Sequence, residues 1–273
     1  MSGFIHPATL LAEFGGRARK RFGQNFLAAE GVVRATVAAA EIGPKSRVVE
    51  VGPGLGVLTG ALLETGAHVT AVELDRDLVA YLKGRFEAEL TSGQLRLVST
   101  DAAKVDWAEL LPGEGWRLVA NLPYNVGTRI ATALLGMPQT VDRLVIMLQK
   151  EVGQRMMADA GSSARGSLSV FVEARADASL VRKVPPGCFF PPPKVHSVVL
   201  RLDVHPAPKT GDVDPSVLER LCRVGFAGPR KTVRKGLCAA YPAAEVDRAL
   251  AVAEIQPSLR PNMLTLEEWL RLT

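Results

Sequence analysis

Four residues able to hydrogen-bond a polar ligand sit at or just past the end of a short apolar run. Glu50 lies in Arg47-Val48-Val49-Glu50-Val51, Glu73 closes Val69–Glu73, Asp101 follows Leu95–Ser99 and Asn121 closes Leu118–Asn121. The first run breaks into Gly52, Gly54 and Gly56 before Leu58 and Thr59 begin a helical pattern. Glycine at every second position lets the backbone take positive φ and lets a ligand lie against it without meeting a Cβ. The spacing does not complete a dinucleotide fingerprint, because Thr59 stands where a last glycine would fall, and no Lys-Ser or Lys-Thr closes the loop as a phosphate-binding P-loop requires. A nucleoside remains, with Glu73 placed to accept hydrogen bonds from a ribose diol as the acid after the second strand does in nucleoside-binding sheets.

Positioning those groups requires short strands that all end at one edge. The apolar runs Val48–Val51, Val69–Glu73, Leu95–Ser99, Leu118–Asn121 and Leu144–Leu148 alternate with helical patterns, which implies βαβ units and a mostly parallel sheet covered on both faces. The expected fold class is α/β, and ligands of such sheets bind beyond the carboxyl ends of the strands. Residues 1–16 show no clear period and read as an arm. Val32, Val33, Ala35, Val37, Ala38 and Ala39 follow helical spacing that Gly43-Pro44 ends. Pro185 to Lys194 is too rich in proline for a helix or central strand and reads as a stiff extended loop before a last strand, Val198–Leu202. His205 to Asp212 reads as a linker. The expected division is a ligand-binding domain over 1–205 and a small all-helical domain over 206–273.

Composition narrows the partners. The chain has 273 residues, 47% hydrophobic and 22% charged, an ordinary globular balance without an apolar run long enough to span a bilayer and without a secretion signal. Cys188, Cys222 and Cys238 are too scattered for a disulfide framework or a zinc site, which suits a reducing cytoplasm, and no metal is expected. The net charge of +5 is unevenly spread. Arg17, Arg19, Lys20 and Arg21 form one cluster, and Arg220, Arg223, Arg230, Lys231, Arg234 and Lys235 form a second with only Glu219 nearby. Clusters of this kind neutralise backbone phosphates, so both are candidate RNA-binding surfaces.

The E-x-G-x-G-x-G loop followed by Glu73 resembles that of the methyltransferases that use S-adenosyl-L-methionine. Asn121-Leu122-Pro123-Tyr124 looks like the tetrapeptide with which such enzymes modify an exocyclic amine of a nucleic-acid base. The amine of adenine is a poor nucleophile while its lone pair is delocalised into the ring. Two acceptors, the Asn121 side-chain oxygen and the Leu122 carbonyl, would draw the nitrogen towards a tetrahedral shape and free that pair. Pro123 would fix the turn, and Tyr124 would offer a flat face to a base taken out of its stack. Positioning and fixed dipoles then suffice, because a sulfonium donor is already a good leaving group.

Together with Lys20 to Leu27, Phe189 to Val195 and Phe226 to Leu237, these motifs make the chain similar to the ribosomal RNA adenine N6-dimethyltransferase family, and most of all to its bacterial small-subunit members. The resemblance runs from about Arg17 to Leu237. It implies a Rossmann-like sheet and dimethylation of two adjacent adenosines in the terminal hairpin loop of small-subunit rRNA, on an assembling ribosomal particle, and nothing in the sequence demands more than a monomer. Carried over by position, Asn25 and Leu27 cover the methionine end of the cofactor. Gly52 and Gly54 form the loop contact, Glu73 takes the ribose, Asp101 the adenine amine, and Asn121 lies between cofactor and target. Phe189 is the expected second aromatic for the base, with Phe190 as the alternative. Three positions depart from the family pattern: Ala29 where an acid is frequent, Ala164-Arg165-Gly166-Ser167 where an aromatic-glycine pair is common, and Pro229 in place of an arginine. The nearest related activity is that of the large-subunit adenosine methyltransferases that confer antibiotic resistance, and the other is a ribosome assembly factor that binds without catalysing.

Overall fold

A computed structural model describes residues 4–15, 24–228 and 230–273. The chain divides into two compact units, Met1–Gly153 with Ser179–Pro206, and Gln154–Ala178 with Ala207–Thr273. Arg17, Arg19, Lys20, Arg21 and Pro229 lie outside the described residues.

The strands are β1 (Phe26–Leu27), β2 (Arg47–Val51), β3 (His68–Glu73), β4 (Leu95–Ser99), β5 (Trp116–Asn121), β6 (Val141–Gln149), β7 (Ala176–Val184), β8 (Phe189–Phe190) and β9 (Ser197–Val204), and the expected apolar runs fall in β2 to β6 and β9. Seven of them form one sheet in the order β4-β3-β2-β5-β6-β9-β7. The β4-β3-β2-β5-β6 core is parallel throughout, and β9 runs antiparallel to β6. Val48, Val49, Leu118, Val119 and Ala120 are wholly buried, as strands covered on both faces must be. The covering helices are α1 (Pro7–Phe14), α2 (Glu30–Ala40), α3 (Val57–Leu63), α4 (Arg76–Arg85), α5 (Glu87–Thr91), α6 (Trp107–Leu110) and α7 (Gly127–Leu135).

Three local departures from the sequence reading have physical causes. The expected arm contains α1, started by Pro7 in the first turn and by His6 Nδ1, which accepts from the Ala8 amide at 3.2 Å. Its Leu10 is fully buried in a cluster with Phe26, Leu55 and Leu78. The proline loop is interrupted by β8, which pairs antiparallel with β1 so that Phe190 faces Phe26 and Phe189 faces Leu27. The strand β7 has few buried positions and therefore no apolar run to announce it.

After α8 (Lys150–Met156), the second unit contains α9 (Ser167–Glu173), α10 (Pro215–Gly225), α11 (Val233–Leu237), α12 (Ala243–Val252) and α13 (Leu266–Arg271). It takes in residues 154–178 in addition to the expected tail, because Val170 and Ala174 bury themselves among Leu218, Leu237, Leu250 and Trp269. Arg165, at one of the departures from the family pattern, is buried and pins this segment. It donates to the carbonyls of Leu264 (3.1 Å) and Ala158 (2.9 Å) and to Glu173 (2.7 Å). A buried guanidinium is tolerated because its donors are met this way. Among the described residues no helix is long and apolar enough to cross a membrane, and no cluster of side chains is suited to a metal ion.

Candidate functional site

The carboxyl ends of β2, β3 and β5, with β1 and the residue pair that precedes it, enclose a cavity of about 360 Å³ in the first unit. Asn25, Leu27, Glu50, Gly52, Gly54, Glu73, Asp101, Asn121, Leu122, Pro123 and Tyr124 all line it. Gly54 and Gly56 hold the loop in the left-handed region at φ +59° and +78°. A Cβ on Gly54 would come within 3.0 Å of the Phe26 ring, and one on Gly56 within 2.5 Å of Phe86, so only glycine lets this loop close over the strand.

Glu73 is a clasp. Its Oε1 accepts from the amides of Leu74 (2.8 Å) and Asp75 (2.9 Å), and its Oε2 from the Gly54 amide at 3.2 Å, joining the second strand end to the glycine loop. Burial raises its pKa, and these amide bonds work against the rise. Glu50 is 1% exposed, and its Oε2 accepts from Thr59 Oγ1 at 2.7 Å. Burial pushes its carboxyl up to about 8, with the neighbouring Glu73 charge adding to the rise. Asp75 caps α4 through the Asp77 amide (3.1 Å) and accepts from Gln24 Nε2 at 3.1 Å, which ties the approach to β1 to the cavity. Asp101 Oδ1 accepts from the Ala103 amide at 2.9 Å.

The tetrapeptide leaves β5 at the cavity's edge. Asn121 Nδ2 donates to the Asn25 carbonyl at 3.3 Å. A carbonyl only accepts, so the amide nitrogen must face it and Oδ1 is the side chain's remaining acceptor. The Leu122 side chain is buried, its amide bonds the Met147 carbonyl at 3.2 Å, and the Pro123 carbonyl receives the Gly127 amide at 2.8 Å at the start of α7. Tyr124 is half-buried, its hydroxyl shares a 2.7 Å hydrogen bond with Ser197 Oγ, and burial raises its pKa.

Phe189 does not join this group. It is 4% exposed and packs in the core with Leu27, Val184 and Val199. Adjacent strand residues point to opposite faces, so the exposed ring is Phe190, 39% accessible and 6.3 Å edge-on from His6. The sequence reading also missed cavity residues from three regions: Gln24 and Phe26 beside Asn25, Leu74 and Leu78 after Glu73, and Asn125 after Tyr124. Adjacency to residues already singled out was the only signal for them.

In the second unit Arg220, Arg223, Arg230, Lys231 and Lys235 are exposed. Arg234 differs: its guanidinium is engaged by Asp247 of α12, an acid distant in sequence, with Nη2 to Oδ2 at 2.8 Å. Glu219 is engaged as well, by Arg175 at 2.6 Å.

The residues present fit S-adenosyl-L-methionine. Acidic groups suit its positive charge, Glu73 suits a diol, the glycine loop allows close backbone approach, and Leu74 and Leu78 offer apolar surface to a purine. Sheet order, loop and clasp define a Rossmann-like methyltransferase that uses this donor. The model of the ribosomal RNA adenine dimethylase family matches residues 15–273. The ribosomal RNA small subunit methyltransferase A of Syntrophotalea carbinolica is 42% identical over 259 residues, covering 94% of this chain and 96% of that protein. The crystal structure of the 23S rRNA methyltransferase ErmE superimposes with TM-score 0.69 at 25% identity, over 91% of this chain and 98% of that one. A dimethyladenosine transferase from Plasmodium falciparum gives TM-score 0.76 at 24% identity, covering 90% and 95%. The chain belongs to the ribosomal RNA adenine dimethylase family and is an S-adenosylmethionine-dependent rRNA methyltransferase.

Proposed function

We propose that this enzyme dimethylates the N6 amines of two adjacent adenosines in the 3′-terminal hairpin loop of small-subunit rRNA. In this reading it acts as a monomer in the cytoplasm on an assembling small-subunit particle. The observation that carries the chemistry is Asn121, held by the Asn25 carbonyl at 3.3 Å on the rim of the cofactor cavity with Tyr124 three residues on. The cofactor supplies an electrophilic methyl group on a sulfonium. Asn121 Oδ1 and the Leu122 carbonyl accept the two amine hydrogens and so raise the lone pair. The Ser197 bond fixes the Tyr124 ring as a stacking face. As the N–C bond forms and the S–C bond breaks, one amine proton is lost to water, and a second transfer repeats the step on the monomethylated nitrogen.

Small-subunit specificity is supported by the 42% identical relative, a ribosomal RNA small subunit methyltransferase, whereas likeness to the large-subunit enzyme is 25%. The exposed cations of α10 and α11 and the turn between them support phosphate contact by the second unit, with Arg234 contributing less because Asp247 holds it. The cluster around Arg17 joins this proposal from sequence alone.

Transfer of labelled methyl from S-adenosylmethionine to unmodified small-subunit particles, large subunits and naked rRNA tests the proposal. Dimethyladenosine at adjacent positions in small-subunit rRNA, formed on the particle, is the expected result. Label in large-subunit rRNA overturns the specificity, and tight binding without label overturns catalysis.

A further inference from the structure

The cavity contains Glu50, Glu73 and Asp101, and among the described residues that line it there is no lysine, arginine or histidine. The two glutamates are met very differently. Glu73 receives three backbone amides, while Glu50, more deeply buried, receives one hydroxyl from Thr59 of α3. The other polar groups on the cavity wall are Gln24 and Asn25 before β1, Thr100 after β4, Asn121 at the end of β5, and Tyr124 and Asn125 after it. None of these brings a positive charge, and Lys104, which does not line the wall, pairs with Asp101 at 3.9 Å. Two buried carboxylates on one cavity wall cannot both stay ionised cheaply, and the less solvated one keeps its proton.

We propose that Glu50 is a charge-responsive positioning residue: it keeps a proton while the cavity lacks a cation and releases it when the positively charged methyl donor binds. This rests on the reading that the cavity is the donor's site. Methyl transfer turns the sulfonium into a neutral thioether, so the charge that held Glu50 ionised disappears and the carboxylate takes a proton back from solvent. The cavity thereby prefers donor to spent product. This assists exchange in an enzyme that must replace its cofactor for each methyl group it adds. Burial, which raises the Glu50 carboxyl to about 8, leaves most of it protonated at neutral pH before the donor binds.

Calorimetry of the full-length enzyme at pH 7, in buffers of differing ionisation enthalpy, counts the protons. S-adenosylmethionine is expected to release close to one proton per molecule bound, and S-adenosylhomocysteine far less. Between pH 6 and 7 donor affinity should rise about tenfold, as linkage to one proton requires, with little change for the thioether. Glu50→Gln keeps a partner for Thr59, should abolish the proton release and should cut the preference for donor over thioether about tenfold. Donor binding to the wild type without proton release, or release undiminished in Glu50→Gln, overturns the inference. Should the variant fail to fold, a flat wild-type pH profile overturns it alone. Failure of the wild type to bind either ligand would instead remove the cofactor site itself.

Discussion

The two ends of the central strands treat charge in opposite ways. At the amino ends of β5 and β6, Arg117 meets Asp142 at 3.2 Å, and Arg143 meets Glu41 at 2.7 Å and Asp203 at 2.6 Å. Arg201 on neighbouring β9 pairs with both Asp203 and Glu41. Arg117 and Arg143 also donate to the Ala40 carbonyl at the end of α2, where last-turn carbonyls lack helical partners. Hydrogen bonds from Arg201 and then Arg143 hold the Glu41 carboxyl down to about 2. At the carboxyl ends Glu50 and Glu73 lie in a cavity without a described cation and are pushed up. One edge pairs its acids with arginines to hold a helix, and the other meets its buried glutamates with amides and a hydroxyl but, among the described residues, with no cation, where a cationic ligand can supply one.

Substitutions at each end sharpen that contrast. Removing the acceptor with Asn121→Ala should lower methyl transfer about 100- to 1000-fold, the scale of losing one preorganised group, measured by single-turnover label transfer. Glu73→Ala should weaken donor binding roughly 10- to 100-fold in calorimetry, because charged hydrogen bonds contribute about 1.5–3 kcal/mol. At the opposite edge Arg143→Ala should reduce unfolding free energy by about 1–2 kcal/mol in urea titrations while donor affinity changes less than twofold. A large affinity loss there would break the contrast. The pH responses should also oppose each other. Glu41, depressed when folded, contributes stability that is present above pH 4.5 and fades as pH falls towards 2. Glu50, raised when folded, makes the ligand-free protein less stable as pH rises from 4.5 to 8. Thermal unfolding of Glu41→Gln and Glu50→Gln across those ranges should each flatten its own limb.

The parallel strands were legible because burial on both faces leaves runs such as Val48–Val51, and their polar ends were legible where the second and fourth runs stop on Glu73 and Asn121 and the third stops two residues before Asp101. What the sequence hid depends on distant partners. Phe189 and Phe190 differ by one residue, and only the pairing of β8 with β1 decides which ring is buried. The Arg234 ion pair needs Asp247 from another helix, and Val170 and Ala174 of the 154–178 segment share a buried cluster with Trp269, about a hundred residues on. His6-Pro7 was a readable helix start that the lack of a clear apolar period obscured.

In the proposed division the cavity binds the donor while the rim presents the base, and Tyr124 separates these roles most directly. Cofactor affinity and methyl transfer should be measured together for Tyr124→Ala and Tyr124→Phe. With the stacking face gone, the alanine variant should bind donor within about threefold of wild type and lose transfer by roughly 100-fold or more, while phenylalanine, lacking only the Ser197 bond, keeps most activity. Full transfer by the alanine variant, or a matching loss of donor binding, would contradict that division.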